Sequence, residues 1–255
     1  MKVVLLGTGN IAHFFAQQLS SHPDINIVQL YNRTLESGLV LSQAYGIPIV
    51  QQIEAIDTTA DVYIFCVKDS AIAALADALP LKGKLAVHCA GSQPLSILEG
   101  CSEQNAVIWP VYSINKHNLP QHRDVPLIVE GNQEAALQKA LYLAERLSDR
   151  STAVNYQQRQ YMHLNAVIAN NFTNHLLAIC TKISAEQQVP FNFLLPIITQ
   201  TLQQVEQHPP EQLQTGPAIR KDIPTMEAHI RLLKDHPEWA AVYESISASI
   251  LKMYS

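Results

Sequence analysis

The sequence predicts an α/β fold, a doubly wound and mostly parallel sheet, followed by an all-helical C-terminal domain. Three observations predict it. Continuous apolar runs alternate with helix-like stretches as far as residue 147, the signature of a parallel sheet covered on both faces. From residue 156 onward the pattern is helix after helix. Glycine marks the change: eight of the nine lie at or before Gly131, and Gly216 stands alone afterwards.

Taken in order, residues 2–6 form an apolar strand and residues 10–21 a helical pattern ended by His22-Pro23. INIVQLY (25–31) is a second strand, TLESGLVLSQAY (34–45) a second helix and DVYIFCV (61–67) another buried strand. A helix follows with Asp69 as its N-cap, then strands at 84–90, 106–111 and 126–131, and a helix at 132–147. The polar stretch SDRSTAVN (148–155) carries the boundary, which gives domains 1–153 and 154–255.

Composition narrows the function. A chain of 255 residues, 47% hydrophobic and 15% charged, can bury one large core or two ordinary ones. Its net charge of −5 comes without a long basic block, which argues against nucleic acid. Cys66, Cys89, Cys101 and Cys180 form no C-x-x-C pair, and the ten histidines include no pair three or four residues apart. Reduced, packed thiols and no metal site are expected. The N-terminal apolar run is too short for a signal peptide and no stretch resembles a membrane span, so the expected setting is the cytoplasm, away from membranes.

The opening VVLLGTGNIA fits G-x-G-x-x-A between a strand and a helix. Gly7 permits the tight turn, Gly9 lets backbone approach a pyrophosphate, and Ala12 allows close helix–strand packing. Thr8, Asn10 and Ile11 complete a helix start whose N–H groups face phosphate. The bland alternative is a turn that binds nothing; the position after an N-terminal strand favours dinucleotide binding.

After the second strand, where an enzyme using NAD usually places an acid, the chain has YNRT. Asn32, Arg33 and Thr34 offer amide, guanidinium and hydroxyl donors to a 2′-phosphate, so the expected cofactor is NADP (NADPH). The alternative is a solvated loop arginine. CVKDSAI and HCAGSQP leave later strands at the ligand-binding edge, placing Val67, Lys68 and Gly91 against the cofactor and Ser92 toward a substrate. Against this stand an N-capped turn at Asp69 and an ordinary loop at Gly91.

QYMHLNAVIANNFTNHLLAICT (160–181) has no Asp, Glu, Lys or Arg but four asparagines and two histidines. At about 100° per residue His163, Asn170 and Asn174 share one face, while Leu164, Ile168, Phe172, Ile179 and Ile183 occupy another. Asparagine is a poor helix former, so its repetition needs a positional reason. Two remain open: a polar face lining a substrate cleft between the domains, or a helix–helix interface whose amides bond each other. On the first reading His163 is a general acid, Asn170 orients the reacting carbonyl and Asn174 adds a substrate contact. On the second His163 is a structural histidine. In LQTGPAIRKD (213–222), Thr215 before Gly216-Pro217 caps a helix, and with Arg220 it can grip a carboxylate.

GTGNIA, NRT and DVYIFCVKDSAI resemble the nucleotide-binding domains of the superfamily of pyrroline-5-carboxylate reductase, 3-hydroxyisobutyrate dehydrogenase and ketopantoate reductase. With HCAGS, WPVYSI, HLNAVIANNFTNHL and TGPAIRKD in this order, nearly the whole chain is similar to bacterial Rossmann-like, NADP-oxidoreductase-type proteins with a C-terminal domain of unknown function. The resemblance implies a Rossmann domain plus an all-α domain of the 6-phosphogluconate dehydrogenase type, often a dimerisation unit, and hence a homodimer. The chain departs from the hydroxyacid dehydrogenases, whose long helix carries a lysine one turn before an asparagine; here no lysine occurs in that helix before Lys182. It also lacks the serine-glycine run of pyrroline-5-carboxylate reductase. The leading expectation is an NADP-dependent oxidoreductase moving a hydride to or from a small carbonyl or imine compound, a carboxylic acid. The alternative is a non-catalytic NADP-binding protein whose helical half forms a dimer or partner interface.

Overall fold

A computed structural model describes residues 1–255. The chain forms two compact units, Met1–Ala169 and Asn170–Ser255. The first is built on an eight-stranded sheet of order β3-β2-β1-β4-β5-β6-β7-β8. Its strands are β1 (Lys2–Leu6), β2 (Asn26–Tyr31), β3 (Ile49–Val50), β4 (Val62–Phe65), β5 (Leu85–His88), β6 (Gln104–Pro110), β7 (Leu127–Gly131) and β8 (Ser151–Ala153). All pair in parallel except β6 with β7, where Ile108 faces Val129 in antiparallel register. This is the doubly wound, mostly parallel Rossmann-like sheet that the apolar runs predict.

Two buried clusters explain why the strands are apolar throughout. On one face Val3 and Leu5 of β1 pack with Phe14, Phe15 and Leu19 of α1 (Asn10–Leu19), Leu41 of α2 (Leu35–Tyr45), and Leu143 and Leu147 of α4 (Glu134–Leu147). On the other, Val4 and Leu6 pack with Ile72 and Leu75 of α3 (Asp69–Asp77) and with Leu98. Successive residues of β1 thus serve opposite layers.

Three local expectations are corrected. The stretch assigned to the linker contains β8, which pairs with β7 in parallel from Leu127↔Ser151 to Val129↔Ala153. The first unit also keeps α5 (Tyr156–Ala166), which begins in a capping box: Asn155 Oδ1 accepts from Gln158 N–H, and Gln158 Oε1 accepts from Asn155 N–H. By compactness alone the chain divides at Ala169/Asn170. Second, Asp69 is the first residue of α3 rather than its N-cap, a position held by Lys68. Third, Thr215 caps no helix: residues 216–221 form a bend and turn, and the next helix is capped by Asp222, whose carboxylate accepts from Thr225 N–H at 3.2 Å and Thr225 Oγ1 at 2.8 Å.

The second unit is helical: α6 (Thr173–Glu186), α7 (Leu195–Val205), α8 (Pro210–Leu213), α9 (Ile223–Leu232) and α10 (Pro237–Met253). Between Ala166 and Thr173 the backbone is a π-helix, Val167–Phe172. A π turn holds more residues than an α turn, so the uniform 100° spacing that grouped His163 with Asn170 and Asn174 does not hold across it. No helix is long and apolar enough to cross a membrane.

Candidate nucleotide-binding site

The strand order reverses between β1 and β4, the place where open α/β sheets bind ligands. A cavity of about 560 Å³ lies there, bounded by the turn after β1, the end of β2 and the turn after β4. Gly7 has φ +106° and donates its N–H to Tyr31 O at 2.7 Å; a Cβ on it would lie 2.6 Å from Cys66 O. The fold itself requires that glycine. Gly9 is different: its φ is −80°, and an added Cβ would meet nothing nearer than Cys66 O at 3.8 Å. Nothing in the chain's own packing demands glycine there.

Ala12 is fully buried, as tight helix–strand packing requires. The helix it belongs to, α1, starts with no side-chain cap and no acidic residue in its first turn, so no protein group neutralises its positive end. The charged residues lining the cavity are Arg33, Lys68 and Lys116, with no Asp or Glu among them, in a chain whose net charge is −5. A glycine turn, an uncapped helix start and three cations fit a dinucleotide and its pyrophosphate.

Gly7, Thr8, Gly9, Asn32, Arg33, Val67 and Lys68 line this cavity; Asn10, Ile11, Thr34 and Gly91 do not. The amide nitrogen of Asn32 donates to Thr34 O at 2.8 Å and Ser37 Oγ at 2.7 Å, so it holds the turn that presents Arg33. Ser37 lines the cavity beside it and was not picked out in the sequence. Asn10 Oδ1 accepts from the backbone N–H of Lys116 at 3.1 Å.

A second group of residues gathers at the ends of β4 and β5. Ser92 Oγ donates to Asp69 Oδ2 at 3.2 Å. The His163 ring lies 5.5 Å from that of Trp109, and both crowd Gly91: a Cβ there would meet His163 Cδ2 at 2.6 Å and Trp109 Cε2 at 2.7 Å. Beneath them is an arrangement that no sequence motif announces. Arg159 is fully buried; its Nε donates to Glu130 Oε2 at 2.8 Å, and its Nη1 donates to the carbonyls of Ala90 (3.0 Å) and Gly91 (2.8 Å). Arg159 thus ties α5 to the loop carrying Gly91 and Ser92. The signal was one residue outside the charge-free window, which starts at Gln160. Burial, together with the Arg159 charge, holds His88 down at about 3, so this histidine is neutral and its Nδ1 accepts from Ala90 N–H. Burial likewise pushes the Cys89 thiol well above its usual value, and its neighbour Cys66 adds to this, so Cys89 is an inert thiol.

Within residues 170–255, Asn170 is an exposed residue of the π-helix and Asn174 an exposed residue of α6. Thr215 precedes the bend and turn before α9 and Arg220 lies within it, both exposed.

The comparisons agree with this architecture. Residues 2–92 match a family model described as NADP oxidoreductase coenzyme F420-dependent, and residues 125–250 match the domain of unknown function DUF2520. A crystal structure of BF3122 from Bacteroides fragilis, described as a "putative NADP oxidoreductase", is 33% identical with TM-score 0.89 and covers 98% of each chain. Fold similarity extends to the 1-pyrroline-5-carboxylate reductase of Streptococcus pyogenes (13% identity, TM-score 0.64, 99% of this chain and 98% of that one). It extends also to an imine reductase of Streptomyces aurantiacus (13% identity, TM-score 0.66, 100% and 93%). No curated protein matches the sequence. The chain therefore belongs to the oxidoreductase-like family of BF3122, in which an NADP-oxidoreductase-type Rossmann domain is followed by DUF2520.

Proposed function

We propose that the protein is an NADPH-dependent reductase of a small carbonyl or imine compound bearing a carboxylate. The observation that carries this reading is the cavity at the β1/β4 switch point, lined by Arg33, Lys68 and Lys116 without a carboxylate. Gly7, Thr8 and Gly9 hold the pyrophosphate, and Arg33, presented by the Asn32 turn, meets the 2′-phosphate. NADPH, when bound, supplies the hydride.

The chain's own part is to hold the acceptor and to provide a proton as charge develops on its oxygen or nitrogen. His163 is a titratable group beside the Gly91–Ser92 loop, its ring 5.5 Å from that of Trp109. Ser92, bonded to Asp69, offers a hydroxyl on the same loop. The test is to incubate purified protein with NADPH and a panel of keto acids and cyclic imines, following absorbance of the reduced cofactor. Turnover of one class names the substrate. Tight NADPH binding with no turnover across the panel overturns the reductase reading in favour of a binding module.

The helical unit pairs with a second copy. Of residues 170–255 only Ser184, Ala218 and Ser247 are buried, while Phe193 is 77% and Leu232 80% exposed. A folded unit whose large apolar side chains all remain accessible needs a covering surface, and an equivalent unit is self-complementary under two-fold symmetry. Light scattering at micromolar concentration should give the dimer mass; a monomer mass with and without NADPH rules this out.

A further inference from the structure

The loop between β6 and β7 supplies a cation to a cavity otherwise built from elements between β1 and α3, and nothing in the local sequence around Lys116 announces this. The loop is anchored before it reaches the cavity. Ile114 and Pro120 are buried on either side of its tip, and Pro120 O accepts from Gln17 Nε2 on α1 at 3.3 Å. The tip itself is a tight turn. Asn118 N–H donates to Asn115 O at 2.9 Å, and Asn115 Oδ1 accepts from His117 N–H at 3.0 Å. Lys116 sits at that tip, its backbone N–H tied to Asn10 at the start of α1, and is itself one of the residues lining the cavity.

The geometry points to Lys116 as a cofactor-binding residue that places its ammonium over the helix start of α1, on the pyrophosphate rather than on the 2′-phosphate. This rests on the dinucleotide reading of the cavity. Two cations divide the work by position: Arg33 belongs to the turn after β2, where the ribose of a dinucleotide lies, and Lys116 is tethered to the first residue of α1, where the pyrophosphate lies. Burial pushes the His13 imidazole on α1 down, and the ammonium of Lys116 nearby pushes it further. Holding the loop by two buried feet and an Asx turn lowers the ordering cost of presenting a long side chain.

The experiment is calorimetric titration of the wild type, Lys116→Met, Lys116→Arg and Arg33→Ala with NADPH, NADH and ADP-ribose. If Lys116 grips the pyrophosphate, Lys116→Met weakens all three ligands by a similar factor, about tenfold for one charge-assisted contact. Lys116→Arg restores most of the loss, and Arg33→Ala weakens NADPH alone. Unchanged affinities in Lys116→Met overturn the assignment, and a loss confined to NADPH moves Lys116 to the 2′-phosphate and overturns it equally. Failure of the wild type to bind any of the three ligands overturns instead the dinucleotide reading. Lys116 is exposed, so unchanged thermal melting of the variant serves as the folding control.

Discussion

Replacing Arg159 by methionine keeps a side chain of similar length but removes three hydrogen bonds at once: 2.8 Å to Glu130, 3.0 Å to Ala90 O and 2.8 Å to Gly91 O. It also strands the Glu130 carboxylate, which is only 8% exposed. Breaking a buried ion pair by removing one partner costs about 3–5 kcal/mol, because the remaining charge is left uncompensated. Set against about 5–15 kcal/mol for a typical domain, this is a large share of the stability. Urea unfolding reports it through Trp109, in a Trp239→Phe background so that fluorescence follows the sheet unit alone. Adding Glu130→Gln to Arg159→Met removes the stranded charge, and the double variant should recover on the order of 1 kcal/mol relative to the single one. A loss below about 1 kcal/mol for Arg159→Met, or additive losses in the double variant, would refute the claim that the pair and its carbonyl bonds act as a unit.

Arg33→Ala should remove most of the preference for NADPH over NADH, a change of about 1.5–3 kcal/mol read by calorimetry, and equal wild-type affinities would count against the 2′-phosphate role. His163→Gln should lower turnover by about 100-fold or more while leaving NADPH affinity nearly unchanged; normal turnover places the acid elsewhere. Asp24 is held down to about 2 by its bonds to Tyr142 and Arg146, from an ordinary value of 3.8. Its contribution is complete above the ordinary value and disappears as pH falls toward 2. Between about pH 4.5 and 2.5 the wild type should therefore lose more stability than Asp24→Asn, and parallel losses in urea midpoints would contradict this.

The parts of the fold that were legible in the sequence are those with a strong local cause. Residues 3–12 combine an apolar run, two glycines and a helix start, and all three appear where expected. β8 was hidden because Ser151-Thr152-Ala153 has no apolar run; it is a strand only because Leu127–Val129 offers it a free edge. The π turn at Val167–Phe172 has no counterpart in a uniform periodicity, and the Asp222 cap displaced Thr215 through a choice between two good capping residues. In the site, Gly7, Gly9, Arg33 and Lys68 lie in short motifs that read locally. Lys116 and the Arg159–Glu130 pair are joined to their partners only by the folded sheet, with Glu130 and Arg159 separated in sequence by α4 and β8.

The unlike needs of Gly7 and Gly9 make the opening turn a pair of separable reporters. A methyl group at Gly7 collides with Cys66 O and is felt by the chain whether or not anything is bound. A methyl group at Gly9 makes only an ordinary contact, 3.8 Å from Cys66 O, and the chain by itself tolerates it. A lineage that kept the scaffold but gave up its nucleotide would be free to lose the second glycine and not the first. In any descendant of this chain, alanine at position 9 beside glycine at position 7 would mark a Rossmann domain retained for its shape alone.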